Sequence, residues 1–168
     1  MATITHRGNA ATTAGELPHR GALAPTFRLT GTDLKDIRLE DLKGKNVVLN
    51  IFPSIDTSTC AQSVRRFNEL AASLKNTVVL CVSKDLPYAH RRFCAVEGIE
   101  NVRCAAQYKD TSFSDAYQVD ITAGSTLVGL MSRAIMVIDE RGTVRYTEQV
   151  ADISSEPDYE RALSALKS

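Results

Sequence analysis

The residue best suited to chemistry in this sequence is Cys60, which closes the polar segment Pro53-Ser-Ile-Asp-Thr-Ser-Thr-Cys60. The run Asn46–Phe52 before it is apolar and β-branched, which predicts a buried strand. Apolar residues recur at helical spacing from Val64 to Leu74, which predicts a helix. Cys60 is therefore expected in the first turn of a helix just beyond a strand, where unpaired N–H groups and the helix dipole favour a nucleophilic thiolate.

Three further residues are candidates to assist Cys60. A helix dipole contributes at most ~2 kcal/mol, so a nearby cation is also expected. Arg133 opens the predicted strand Ala134–Asp139, and an antiparallel pairing with the strand before Cys60 would bring it to the thiol. Thr57 is predicted to cap the helix or to donate its hydroxyl to a bound oxygen, and Pro53 to shield the thiolate from water.

This arrangement suits the reduction of a peroxide. A peroxide needs a nucleophile on one oxygen and hydrogen-bond donors on the other oxygen, where alkoxide charge develops. Cys60 would supply the nucleophile, and backbone N–H groups, Thr57 and Arg133 the donors. The product on the protein would be a sulfenic acid at Cys60.

The other cysteines are Cys81, Cys94 and Cys104, and no CxxC pair occurs. Their spacings fit no standard zinc module, so neither a metal nor another cofactor is expected. Cys81, inside a predicted strand, and Cys104 are interpreted as buried packing residues. Cys94 lies on a predicted helix that begins at Leu86-Pro87 and ends at Gly98, and the residues alone leave its role open between packing and chemistry.

Composition narrows the class of protein. The 168 residues suit one domain, 1–168, with 43% apolar and 24% charged residues. Basic and acidic residues number 20 each without a single-sign block, so neither nucleic acid nor a membrane surface is an expected partner. The first 15 residues lack an apolar secretory core, so a cytoplasmic protein with only transient disulfides is expected.

The predicted fold class is α/β, with a mixed central β-sheet flanked by helices. An N-terminal hairpin is expected around Gly8-Asn9, within an extension that covers residues 1–17, and a second hairpin around residues 140–142. The remaining predictions are strands at 27–29, 77–82 and 102–106, helices at 112–117 and 156–166, and an apolar loop at 122–131.

Several of these segments together resemble the bacterial thiol peroxidases, which are atypical two-cysteine peroxiredoxins. The segments are Ala24–Phe27, Gly44–Cys60, Arg92–Cys94 and Arg133–Asp139, and the resemblance covers nearly the whole chain. It implies a thioredoxin-like fold, a homodimer, thioredoxin as the reductant and hydrogen peroxide or organic hydroperoxides as substrates, in antioxidant defence.

By position, the resemblance also implies specific roles for residues. Cys60 matches the peroxidatic cysteine and Cys94 the resolving cysteine of the same subunit, with Pro53, Thr57 and Arg133 as supporting groups. Because Cys94 follows Cys60 by 34 residues on another predicted helix, a disulfide between them is expected to require local unfolding.

Other interpretations remain beside this one. A general thiol-disulfide oxidoreductase would normally carry CxxC, and a cysteine hydrolase would need a histidine base, for which His6, His19 and His90 show no pattern. His90 is expected to be a surface residue. A redox sensor, signalling through the same disulfide, is the non-enzymatic alternative. Leu127 to Met131 could line a substrate entrance or pack between subunits.

Overall fold

A computed structural model describes residues 1–167 of the chain. The strands are β1 (Thr3–His6), β2 (Asn9–Thr13), β3 (Arg28–Gly31), β4 (Asp36–Arg38), β5 (Asn46–Ile51), β6 (Thr77–Ser83), β7 (Arg103–Ala106), β8 (Ile121–Ala123), β9 (Ala134–Ile138) and β10 (Val144–Gln149). The α-helices are α1 (Ser58–Ala71), α2 (Pro87–Glu97), α3 (Ser112–Tyr117) and α4 (Tyr159–Ser164), and short 3₁₀ turns cover Leu39–Leu42 and Ala165–Lys167.

The larger sheet has seven strands in the order β10-β9-β5-β6-β7-β3-β4. Strands β5, β6 and β7 run parallel to one another, and the outer pairings are antiparallel, so the sheet is mixed as predicted. The central strands are apolar on both faces because helices cover both. One apolar layer packs the sheet against α1, α2 and α4, and the other packs it against α3.

The segment from β5 into α1 follows the predicted path. Strand β5 ends at Ile51, and α1 begins at Ser58 after a polar turn. Val64 and Phe67 are fully buried on the inner face of α1, whereas Leu74 lies beyond the end of the helix. The N-terminus of α1 therefore lies just beyond the carboxyl ends of the parallel strands. Active and binding sites are common at this edge of the sheet in α/β folds.

Helix α2 has the predicted bounds but a different buried face. It begins at Pro87 and ends where Gly98 adopts a left-handed conformation with φ 65°. Val96, which the apolar spacing of this helix predicts on its inner face, is 79% exposed, and His90 is fully buried instead of lying on the surface, so the predicted burial is wrong at both positions. The spacing of apolar residues does not predict this buried face, because the face includes the polar residue His90, whose ring contacts Ser83.

A second, three-stranded sheet joins the N-terminal hairpin to a distant segment. The predicted hairpin is confirmed as β1 and β2, and β8 pairs antiparallel with β2. Two of the three residues of β8 fall within the predicted loop 122–131, because so short a strand carries little local signal. Gly124 follows β8 with φ 83°, and a Cβ there would collide with the carbonyl oxygen of Ala10, so the close approach requires glycine.

Two further elements differ from the predictions. Strand β4 was missed, and the final helix is shorter than 156–166 because Asp158 caps α4 at its amino end. Asp158 accepts a hydrogen bond from the Arg161 N–H at 3.1 Å, which fixes the start of the helix there. Within residues 1–167, no helix is both long and apolar enough to cross a bilayer.

Candidate active site

Cys60 lies in the first turn of α1, as predicted, and its side chain is fully buried. Thr57 is the N-cap of the helix: its Oγ1 accepts a hydrogen bond from the Cys60 N–H at 3.3 Å and donates to the Ser54 carbonyl at 3.2 Å. The backbone N–H groups of Ser58 and Thr59 lie in the first turn, where no carbonyl group of the same helix is available to accept their hydrogen bonds. The thiol therefore lies where the positive end of the helix favours an anion.

Arg133 reaches Cys60 by the predicted pairing. Strand β9 lies antiparallel beside β5, and Ala134 lies opposite Ile51, so Arg133 stands next to the end of β5. Its Nη2 donates to Cys60 Sγ at 3.4 Å, and its Nε donates to the Ile153 carbonyl at 2.7 Å. The backbone carbonyl of Arg133 accepts from Gln149 Nε2 at 2.9 Å, which fixes the start of β9.

Arg133 is a buried cation beside Cys60. Only 1% of this guanidinium-bearing residue is exposed, and no carboxylate lies within salt-bridge distance of it among residues 1–167. A buried cation without an anionic partner is costly. Its Nη2 donates instead to Cys60 Sγ, which would supply a negative charge if the thiol were ionised. Its Nη1 is buried and, within the same part of the chain, has no hydrogen-bond partner, so one donor remains for a ligand.

A cavity of about 330 Å³ lies against this arrangement. Pro53, Thr57 and Arg133 line it together with Leu127 and, from the N-terminal hairpin, His6. The other lining residues are Arg7, Ser58, Thr59, Thr126, Ile153 and Ser154. A small hydroperoxide entering the cavity would meet Arg133 and the first turn of α1 on its way to the buried thiol.

Cys94 lies on α2, packed against the same apolar layer that contains Cys60. Its Sγ lies 3.5 Å from Cys104 Sγ on β7. The hydrogen bond to Cys104, together with burial, raises the pKa of Cys94. All four cysteines are free thiols. Among residues 1–167, no group of three or more His, Cys, Asp and Glu side chains is placed to bind a metal ion.

A buried polar network connects the two cysteine-bearing segments. Asp85, after β6, accepts hydrogen bonds from Ser54 Oγ and the Ile55 N–H, both at 2.8 Å, in the turn before Cys60. It also accepts from Ser83 Oγ at 2.5 Å. Because that hydroxyl proton points to Asp85, His90 Nε2 on α2 must donate to Ser83 Oγ, at 2.8 Å.

The network also determines the charge state of Asp85. Burial alone would raise the pKa of this carboxyl, but His90 and the hydrogen bonds from Ser83, the Ile55 N–H and Ser54 outweigh it and lower the pKa to about 2. His90 Nε2 is 3.8 Å from Asp85 Oδ2, so the ring acts on the carboxylate mainly through Ser83. Asp85 is thus an anion that holds the Cys60 turn and α2 at once.

Comparison with known proteins agrees with this geometry. The family model described as Redoxin matches residues 19–163. The chain is 55% identical to the thiol peroxidase of Mycobacterium tuberculosis and 50% identical to that of Corynebacterium glutamicum, over 166 residues and 99% of both chains in each comparison. The chain belongs to the bacterial thiol peroxidases.

Solved structures support the same assignment at the level of the fold. A peroxiredoxin-like protein from Aquifex aeolicus superimposes with a TM-score of 0.92 at 32% identity, over 98% of this chain and 95% of that one. The thiol peroxidase from Chromobacterium violaceum gives a TM-score of 0.89 at 21% identity, with the same coverage. The predicted thioredoxin-like fold is confirmed, and the protein is a peroxiredoxin-type enzyme that reduces peroxides with thiols.

The structure brings some predicted site residues together and separates others. Cys60, Thr57, Pro53 and Arg133 form one group, whereas Cys94 contacts Cys104 instead. Asp85 was not predicted as a site residue, since its only local signal is its place just after a buried strand. The hairpin residues that line the cavity were also missed, because the hairpin is placed by distant segments, β8 and residues 151–153.

The Thr57 cap yields a first prediction. Thr57→Val keeps the side-chain shape but removes the hydroxyl that accepts from the Cys60 N–H, so the free energy of unfolding should fall by about 1 kcal/mol. Oxidation of Cys60 by peroxide should also slow, since the first turn becomes less ordered. Because the chain has no tryptophan, rapid acid quench and mass spectrometry would follow the reaction. Thr57→Ser should have the stability and the oxidation rate of the wild type. If Thr57→Val has them too, the prediction is wrong.

Proposed function

We propose that Cys60 is the peroxidatic cysteine and that Arg133, Thr57 and Pro53 support it. The Cys60 thiolate attacks one oxygen of the hydroperoxide, the O–O bond breaks, and the other oxygen leaves as an alkoxide or hydroxide that takes up a proton. Cys60 becomes a sulfenic acid. The buried hydrogen bond from Arg133 to Cys60 Sγ is the observation that carries this assignment.

In this scheme the free donors near Cys60 act on the leaving oxygen. Arg133 Nη1 is buried and has no partner among residues 1–167, so it is available to the alkoxide charge. The Thr57 hydroxyl currently donates to Ser54 O and would have to turn to reach a substrate. Pro53 contributes a wall without an N–H group, which limits the access of water to the thiolate.

We also propose that Cys94 resolves the sulfenic acid. Its thiolate attacks Cys60 Sγ, the S–O bond of the sulfenic acid breaks, and a Cys60–Cys94 disulfide forms. The departing hydroxide takes up the proton that the Cys94 thiol released and leaves as water. Cys94 is paired with Cys104, and its raised pKa disfavours the thiolate while α2 is folded. Unfolding of α2 and of the first turn of α1 would remove both obstacles and expose the disulfide to a reductant.

The remaining features are proposed from the family. Thioredoxin would reduce the disulfide, its two thiols becoming a disulfide in exchange. The protein would act in the cytoplasm as a homodimer of single domains, 1–168, each with the hairpin of residues 1–17 as an extension. Leu127 lines the cavity, which fits organic hydroperoxides as substrates beside hydrogen peroxide.

The experiment that tests these roles is peptide mapping after the reduced protein meets one equivalent of cumene hydroperoxide. The wild type should form a Cys60–Cys94 crosslink, Cys94→Ser should stall at a sulfenic acid, and Cys60→Ser should not react. Sustained peroxide consumption with thioredoxin and its reductase would show that thioredoxin recycles the disulfide, whereas a single round of oxidation would show that it does not. If wild-type Cys60 stays reduced, the proposed roles are wrong.

A further inference from the structure

Three thiols other than Cys60 form a cluster in the apolar layer that contains Cys60. Cys81 and Cys104 occupy paired positions on the parallel strands β6 and β7. Cys94, on α2, places its Sγ 3.5 Å from Cys104 Sγ. A disulfide has an S–S bond of about 2.05 Å, so the two sulfurs of Cys94 and Cys104 need to approach by only about 1.5 Å.

We propose that Cys104 is a third redox-active thiol, which takes the disulfide from Cys60 and leaves a Cys94–Cys104 disulfide. This inference rests on the proposed roles of Cys60 and Cys94. The Cys104 thiolate attacks Cys94 Sγ of the Cys60–Cys94 disulfide. The Cys104–Cys94 bond forms, the Cys94–Cys60 bond breaks, and Cys60 leaves with the electron pair. The proton of Cys104 passes to solvent, and the hydroperoxide has already supplied the oxidising equivalent.

The direction of the exchange follows from the leaving group. A sulfur leaves faster when its thiolate is better stabilised. The Cys60 thiolate would be met by the helix N-terminus and by Arg133 Nη2, so Cys60 is the better leaving group of the two sulfurs. Attack by Cys104 on Cys94 therefore regenerates the thiolate that the enzyme uses for peroxide.

The contacts of folded α2 favour the same direction. The helix is held by His90 against Ser83 at 2.8 Å, and by a bidentate ion pair in which Arg65 on α1 contacts both oxygens of Glu97 at 2.9 Å. These contacts must break when α2 opens to form a Cys60–Cys94 disulfide, whereas a Cys94–Cys104 disulfide can form while they remain intact. Refolding of α2 thus favours the exchange.

The Cys94–Cys104 pair also has its own opening. A cavity of about 180 Å³ is lined by both cysteines and by Gly31, Thr32 and Arg103, among others, and it shares no lining residue with the Cys60 cavity. The pKa of Cys104 lies well above its ordinary value because of its interaction with Cys81 and its burial. The exchange should therefore accelerate as pH rises through the neutral range, since more of Cys104 is then ionised.

Trypsin separates the four cysteines, which makes the exchange directly measurable. Cleavage after Arg103 divides Cys94 from Cys104, and each cysteine falls on its own peptide: residues 46–65, 76–84, 93–103 and 104–109. Reduced wild type would receive one equivalent of cumene hydroperoxide, and samples would be acid-quenched over time and blocked with N-ethylmaleimide. The crosslink between 46–65 and 93–103 should appear first, then decline as the crosslink between 93–103 and 104–109 rises.

Variants separate the exchange from ordinary turnover. Cys104→Ala should accumulate the first crosslink without decline, whereas Cys81→Ala, the matched change on the neighbouring strand, should still pass from the first crosslink to the second. With two equivalents of peroxide and no reductant, the wild type should consume about two equivalents and Cys104→Ala about one, because exchange frees Cys60 for a second reaction. Cys60→Ser in a buffer of oxidised glutathione should form the Cys94–Cys104 disulfide directly.

The outcomes distinguish this inference from the proposed function. If the wild type keeps only the Cys60–Cys94 crosslink at every time and pH, Cys104 is a packing residue and the inference is wrong. If Cys60 itself stays reduced, the peroxidatic assignment fails first. The wild-type time course alone decides between these results, so the answer does not depend on how well the variants fold.

Discussion

Arg133→Met should slow the oxidation of Cys60 by hydroperoxide by about 10²–10³-fold, the cost typical of losing one donor from a charge-stabilising site. Arg133 Nη2 contacts Cys60 Sγ at 3.4 Å, and its Nη1 is buried with no partner among residues 1–167. The variant therefore loses the cation beside the thiolate and a donor for the leaving oxygen together. Methionine retains comparable length, so the effect is chemical more than steric.

Two controls make the Arg133 experiment specific. Arg133→Lys keeps the charge but not the forked geometry that also holds the Ile153 carbonyl at 2.7 Å, so it should recover only part of the rate. Alkylation of Cys60 by iodoacetamide should also slow in Arg133→Met, because it reports the thiolate without a peroxide. Circular dichroism and urea unfolding would confirm folding. A folded Arg133→Met variant with a rate within about threefold of the wild type would show that the cation is dispensable.

The position of Arg133 illustrates what the sequence could predict. The strand before Cys60 and the strand after Arg133 both have strong apolar patterns, and a single antiparallel pairing brings the two residues together. The structure has this pairing, with Ala134 opposite Ile51. Prediction succeeded here because long, buried strands carry a local signal and their pairing leaves few alternatives.

The features that the sequence did not reveal depend on specific contacts between secondary-structure elements. His90 is polar and therefore looked exposed, yet it is fully buried because Ser83 and Asp85 give its ring a polar neighbour. Likewise β8 has only three residues and exists by pairing with the N-terminal hairpin. Burial that is stabilised by one specific polar partner leaves no periodic pattern to read.

Asp85→Asn should lower the free energy of unfolding by about 2 kcal/mol at neutral pH. Asp85 accepts three hydrogen bonds at 2.5–2.8 Å, and its side chain is only 13% exposed. An asparagine amide has one acceptor oxygen, so at least one donor in the network loses its partner. Urea unfolding would measure this loss of stability.

The sign of the pH dependence follows from the lowered pKa of Asp85, about 2 in the folded protein. In the unfolded chain an aspartate titrates near ~3.9. The stabilisation is therefore complete above about pH 4 and is lost as pH falls from about 4 to 2, because the unfolded state then binds the proton more readily. Asp85→Asn should remove this part of the acid sensitivity, which unfolding curves between pH 2 and 5 would show.

The same substitution should accelerate disulfide formation while it weakens the fold. Asp85 holds the turn before Cys60 and, through Ser83, helix α2, so removing it lowers the cost of opening both segments. If the full 2 kcal/mol acts on local opening, the step from sulfenic acid to Cys60–Cys94 disulfide should gain up to about 30-fold. Rapid quench after one peroxide equivalent would measure this step separately from the first oxidation.

Asp56 provides the matched control for Asp85. It also links the Cys60 turn to α2, through Arg92 at 3.4 Å, but both side chains are 66% exposed. Exposed ion pairs contribute little, so Asp56→Asn should change stability and rate only slightly. If Asp85→Asn loses stability yet forms the disulfide no faster than Asp56→Asn, the network supports the fold without controlling the opening. A faster step in Asp85→Asn alone would show that this one partly buried carboxylate sets how readily the two cysteine segments open.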